Sequence, residues 1–152
     1  MRVDEKIKSI VSQMQGLNFE FNDWTRANVT LDFKNLPVCL YLLPVSGILF
    51  NKNGNMRDCP NALIAFLDLA EFDYDGATNE PTVERMKGYA RDFIHRVNNS
   101  RLFSPLPENV NYSVVYDKLD ANVTGVVLSV RLEELHGDCI NSNELYMPND
   151  SN

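Results

Sequence analysis

Leu36-Pro37-Val38-Cys39-Leu40-Tyr41-Leu42-Leu43-Pro44 contains a six-residue apolar run closed at each end by proline. Six residues is a strand length, not a helix length. Proline lacks the N–H that would carry pairing further, so it marks both ends. A run without polar alternation predicts a strand covered on both faces, hence a central one. Downstream, Ser46-Gly47 marks a turn and Ile48 to Phe50 resumes an extended run. Asn51-Lys52-Asn53-Gly54-Asn55 is rich in residues that tolerate positive φ and reads as a hairpin tip. Asn61 to Leu69 follows, with Leu63, Ala65, Leu67 and Leu69 on one face and Ile64 and Phe66 on the other. It reads as a buried strand, with a helix left open because Ala and Leu favour one.

Upstream of the proline-bounded run, Val3, Ile7, Ile10, Val11, Met14 and Leu17 make the apolar stripe of an amphipathic helix. Gly16 can end it in the left-handed conformation, with Leu17 as the accompanying apolar contact. Val29, Leu31 and Phe33 alternate with polar neighbours, which predicts a short half-buried strand. The aromatics before it, Phe19, Phe21 and Trp24, are read as core rather than contact surface, because large rings dominate burial.

From Pro81 to Val97 the residues Val83, Met86, Ala90, Phe93, Ile94 and Val97 form a second helix stripe. Pro81 suits a first turn, Thr78 or Asn79 can cap it, and Asn98-Asn99-Ser100 ends it. Asp92 and Arg96 form a favourable i,i+4 pair. Pro105 and Pro107 make a stiff connector. Val110-to-Tyr116 and Val126-to-Leu132 then alternate as two strands around a turn-rich connection, Asp117 to Asn122. The expected fold is α+β: a mostly antiparallel sheet with the N-terminal helix and the second amphipathic helix packed on one face. Residues 1–140 read as a single domain and 141–152 as a polar, disordered tail.

The 152 residues suit one domain, and 44% hydrophobic against 23% charged residues is an ordinary globular balance. The net charge of −7 is uneven. Residues 1–60 carry seven basic and six acidic side chains; residues 61–152 carry seven and fifteen. An acidic field repels phosphate backbones, which disfavours general nucleic-acid binding. The N-terminus lacks the apolar core of a secretory signal, and no apolar run reaches membrane-span length. An intracellular setting is therefore expected, with the five Asn-x-Ser/Thr sites incidental. Cys39, Cys59 and Cys139 fit no disulfide framework or zinc spacing.

Chemistry-bearing motifs are sparse. Asp73-Tyr74-Asp75-Gly76, with Asn79 and Glu80 nearby, offers carboxylates to a divalent cation, but Gly76 comes too early for a calcium loop. The plainer role for this acidic loop is to complement the positive end of the helix beginning near Pro81. His136-x-x-Cys139 is half a metal or nucleophile pair, with nothing in the sequence to complete it. His95 lies opposite the apolar stripe and is expected to be exposed. No phosphate loop and no nucleophile elbow occurs. No catalytic residue, metal or cofactor is therefore expected. The polar face of the second helix carries Arg85, Lys87, Arg91 and Arg96. With the acidic Asp73–Asp75 loop in the same chain, it supplies paired charge that a head-to-tail ring can use, although a solvated face explains the charges as well.

Taken together, the proline-bounded run, the helix ending in Asn98-Asn99-Ser100-Arg101-Leu102-Phe103, and the hairpin Val115-Tyr116-Asp117 to Asn122-Val123-Thr124-Gly125-Val126 resemble the small tail-terminator, tail-completion or neck-ring proteins of tailed bacteriophages. The resemblance covers residues 1 to about 140 in length, element order and texture. It implies a virion protein assembled in the host cytoplasm. Such a protein forms a homo-oligomeric ring, a hexamer or in some neck proteins a dodecamer, that docks on other tail or neck proteins. DNA at most passes through the lumen, and no membrane is involved. Two other readings stand beside it. One is a monomeric adaptor or immunity protein that binds a basic partner; the other is a metal-dependent enzyme using Asp73, Asp75 and Glu80.

Overall fold

A computed structural model describes residues 1–30, 35–69, 80–118 and 122–139. The elements run α1 (Val3–Ser12), β1 (Asn18–Asn22), α2 (Trp24–Thr30), β2 (Val38–Leu42), β3 (Ser46–Lys52), β4 (Asn55–Leu69), α3 (Glu80–Asn99), β5 (Asn111–Lys118), β6 (Val123–Arg131) and β7 (Asp138–Cys139). The fold is α+β around one mixed, mostly antiparallel sheet, as the periodicities predict.

β4 is the spine of the sheet. Its 15 residues pair with β2 and then β3 along one side, and with β6 and β7 along the other. The order across the sheet is β1-β2-β4-β6-β5. β2 and β3 are two halves of one long antiparallel partner of β4. Tyr41 lies opposite Ile64 but Ser46 opposite Asn61, so the residues between them bulge out of the ladder. Pro44, without an N–H, sits in that interruption. The β3–β4 turn places Asn53 and Gly54 at φ 54 and 79°, the positive pair that a tight hairpin needs and that Asn-Gly adopts readily.

Both amphipathic helices lie on one face. Ile7, Ile10 and Val11 of α1 and Val83, Met86, Phe93 and Val97 of α3 are buried with Cys39, Tyr41, Ile64, Phe66, Val126 and Leu128 of the sheet. The Phe66 and Phe93 rings meet at 5.6 Å. At the start of α1 the Arg2 N–H donates to Glu5 at 2.8 Å, which satisfies one orphan donor of the helix.

The segment before β2 departs from expectation. Val29 belongs to α2, not to a strand, and its side chain is 83% exposed; residues 31–34 lie outside the described residues. The physical reason is a cap. Asp23 Oδ1 accepts the Arg26 N–H at 2.7 Å, and the Ala27 N–H reaches the Asp23 carbonyl at 2.9 Å. The aromatics also divide. Phe19 and Phe21 belong to β1, which pairs parallel to β2, whereas Trp24 lies on α2 against the opposite sheet face. Phe19 is partly buried on the helical-face core and Trp24 packs on the second core, but Phe21 remains 37% exposed. β1, α2 and β2 thus form a short crossover unit. Ala27 of α2 packs with Leu40, Leu42, Ala65, Leu67 and Val127 to make that second core.

Gly125 fixes the distance between β4 and β6. A Cβ there would sit 1.9 Å from the Phe66 carbonyl oxygen, and backbone cannot yield as a side chain does. Gly125→Ala should lower stability by about 2–3 kcal/mol, the upper range for overpacking, read as an earlier midpoint in urea unfolding. A midpoint equal to that of the native chain would show that the strands separate freely.

Candidate functional site

The residues singled out in the sequence meet different fates. Asp73 and Asp75 lie outside the described residues. Glu80 opens α3 and accepts a hydrogen bond from the Tyr116 hydroxyl at 3.2 Å. Three of the four basic residues of α3 have partners within the chain. Arg85 pairs with Asp68 at 2.9 Å, Lys87 with Glu84 at 3.3 Å, and Arg96 with Asp92 at 3.1 Å. Lys87 also lies 5.0 Å from the Tyr112 ring, and its hydrogen bonds to Tyr112 and Glu84 hold its ammonium above the ordinary lysine value. Arg91 is exposed and has no ion partner among the described residues.

Among the described residues the groups suited to covalent or metal chemistry do not converge. Burial pushes the Cys39 thiol up, and burial followed by the Glu133 charge does the same to Cys59, which keeps both in the unreactive form. His95 and His136 are exposed. Among the described residues no three His, Cys, Asp or Glu side chains meet at metal-ligand spacing.

A buried polar cluster sits instead where β4 passes under α1. Lys6 Nζ lies 2.5 Å from Glu134 Oε2, with both side chains about nine-tenths buried. The other oxygen, Glu134 Oε1, accepts the Asp58 N–H at 2.7 Å. Burial, then the Glu134 charge, raises the Asp58 carboxyl above its ordinary value, with Lys6 opposing. A raised carboxyl favours folding in its neutral form. That contribution is full below the unfolded value near 3.8 and is lost as pH rises through the higher folded value. Asp58→Asn should therefore raise the unfolding midpoint at pH 7, with the gain shrinking toward zero by about pH 3. A pH-independent gain would place its cause elsewhere.

Among the described residues β3 presents an unpartnered apolar surface. All seven of its residues are exposed, among them Ile48 at 46%, Leu49 at 70% and Phe50 at 40%. Among the described residues β3 pairs with β4 alone, so its outer edge presents a row of free backbone groups. Direct pairing of Ile48 with Cys59 and Phe50 with Arg57 puts both apolar chains on the face opposite α1 and α3. The same alternation puts Leu63, 45% exposed, on that face. α2 covers only the far half of it. Leu49, opposite Asp58, projects from the other face. Arg57 lies 5.0 Å over the Phe50 ring and steadies the hairpin.

At the far side of the sheet, β5 likewise pairs with β6 alone among the described residues, with Tyr112 and Tyr116 exposed. Beside it, between β5 and α3, runs a groove of about 160 Å3 lined by Ala90, Ile94, Val110, Tyr112 and Leu128, with Arg91 at its wall. Ile48 to Phe50 is extended as the sequence predicts, but Ser46-Gly47 is no turn: both residues pair with β4 as the start of β3, and the bareness of Ile48 to Phe50 was not foreseen. The only local signal was three apolar residues in a row beside a polar tip.

No protein-family model matches this chain, and no curated protein matches it at a significant level. No helix among the described residues is long and apolar enough to cross a membrane.

Proposed function

We propose that this chain is a structural subunit of a tailed-bacteriophage virion, of the tail-terminator, tail-completion or neck-ring kind, that works by assembly and not by catalysis. One observation carries the reading: along one side of the sheet the bare apolar strand β3 forms the edge beside the β1–β2 half, and the opposite side ends in the tyrosine-bearing strand β5 beside an apolar groove. A second copy of the chain is the occupant that fits both. Its β3 edge continues the sheet past β5, and Ile48, Leu49 or Phe50 fills the groove between β5 and α3. The two surfaces differ, so the contact is heterologous, and copies joined this way close into a ring when the rotation per copy divides the circle.

The paired charge expected from the α3 face is not what holds neighbours in this reading. Arg85, Lys87 and Arg96 are neutralised within the chain, which leaves apolar area and backbone edges to hold neighbours together. An acidic ring also lets DNA pass without adhering.

Sedimentation and light scattering over a range of concentrations, followed by electron microscopy, test the proposal. Closed rings of six or twelve copies are expected, alone or after mixing with tail-tube subunits. A strict monomer under both conditions overturns it, and a monomer that captures one basic partner favours an adaptor instead.

A further inference from the structure

A cleft of about 350 Å3 opens where the start of α1 meets the sheet. Arg2, Asp4, Phe21, Tyr41, Asp58 and Pro60 line it. Tyr41 is only 2% exposed. Its ring lies on Phe21, centroids 4.7 Å apart and planes 17° apart. No described residue gives its hydroxyl a hydrogen bond. Burial, then the charges of Asp58 and Asp4, holds that hydroxyl's pKa up at about 12, so the oxygen keeps its proton and sits among carboxylates. A buried hydroxyl left unbonded is costly, and a native fold rarely carries one without a use.

The carboxylates of the cleft are unevenly matched. Both Glu134 oxygens are occupied, one by Lys6 and one by the Asp58 N–H. Asp4 pairs with Arg2 at 3.2 Å. Among the described residues the Asp58 side chain accepts no hydrogen bond and forms no ion pair, with the Lys6 charge acting on it only from a distance. One carboxylate and one buried phenol thus face the same space beside an aromatic wall.

We infer that this cleft binds a guanidinium group, which donates to the Asp58 carboxylate and the Tyr41 oxygen beside the Phe21 ring. A flat cation with a fork of N–H donors satisfies all three features, whereas an ammonium is a compact, strongly hydrated point charge. A divalent metal fits less well, because no three ligating side chains converge among the described residues. The inference does not depend on the assembly reading.

Titration of the whole protein with ethylguanidinium, ethylammonium or magnesium chloride, followed by backbone amide NMR shifts, tests it. Saturable shifts at Asp4, Phe21, Tyr41 and Asp58 are expected with a Kd on the order of 1 mM for ethylguanidinium, roughly fivefold tighter than ethylammonium. Asp58→Asn should weaken binding about tenfold and Tyr41→Phe about threefold. Because Asp58→Asn is expected to fold at least as stably as the native chain, its loss of binding is separable from unfolding. The peptide acetyl-Gly-Arg-Gly-amide distinguishes the source. Tighter binding than ethylguanidinium assigns the cleft to an arginine of another chain, equal binding to a small guanidinium compound, and either supports the site. Shifts that never saturate, equal affinity in Asp58→Asn, or tighter saturation by magnesium overturn it.

Discussion

Glu134→Ala should lower the stability of this protein by about 3–5 kcal/mol, the range for breaking a buried ion pair from one side. The loss is large against a typical total of about 5–15 kcal/mol. Removing the carboxylate strands the Lys6 ammonium, only 8% exposed, with the His136 carbonyl at 3.5 Å as its remaining hydrogen-bond acceptor. The Phe103 ring at 6.0 Å offers little to a cation at that distance. The Asp58 N–H loses its acceptor in the same step. Two penalties thus follow from one truncation, a buried charge and a buried donor. Replacing both ends of the pair should behave differently. Lys6→Met with Glu134→Leu removes the charges together and should recover about 2 kcal/mol, roughly half of the loss, leaving the orphaned Asp58 N–H at about 1–3 kcal/mol. Urea unfolding of the native chain, the single variant and the double variant decides it. A single variant within 1 kcal/mol of native would mean that water reaches Lys6.

Periodicity made the helices and the spine of the sheet legible. α1 and α3 repeat apolar residues at helical spacing, and the proline-bounded run could only be a strand. β4 was legible from Asn61 onward, but its first six residues, Asn55 to Pro60, alternate less cleanly and gain their strand geometry from β3. α2 was misread because Val29 and Thr30 favour strands by themselves. The Asp23 cap outweighs them and was present in the sequence as an acidic residue just before Trp24-Thr25-Arg26. The parallel pairing of β1 with β2 depends on α2 as a crossover, so one misreading concealed the other. The charges on α3 were plain, yet which of them are quenched was not, since Asp68 reaches Arg85 from another element. The Lys6–Glu134 pair spans 128 positions, and no local spacing announces a contact of that kind. Tyr41 was legible as a strand residue but Asp58 fell between the elements read from the sequence, and β2 and β4 bring the two to the same cleft.

The bareness of β3 follows from the same local choice. A seven-residue helix is short, and α2 covers the sheet only over the half built from β2, the end of β4 and the start of β6. Ile48, Phe50 and Leu63 occupy the other half and remain in water. If the chain assembles as proposed, Leu49→Lys combined with Phe50→Glu should therefore abolish assembly and leave the fold intact. Each of these half-exposed chains gains about 1 kcal/mol or more on full burial in a neighbour, and a charge in its place adds a desolvation penalty. Together the two changes remove about 3 kcal/mol per contact, or roughly a hundredfold in affinity. Within the monomer they disturb little. Leu49 is 70% exposed, and a glutamate at position 50 can still meet Arg57. Surface changes of this type stay near 0.5 kcal/mol in stability. Lysine on a strand edge also blocks edge-to-edge pairing directly, because its charge cannot be buried against another strand. Sedimentation velocity should thus show native rings replaced by monomers whose thermal midpoint is unchanged. If the doubly charged arm still yields rings of the native size, β3 is not the surface that joins them, and the assembly reading loses the observation it stands on.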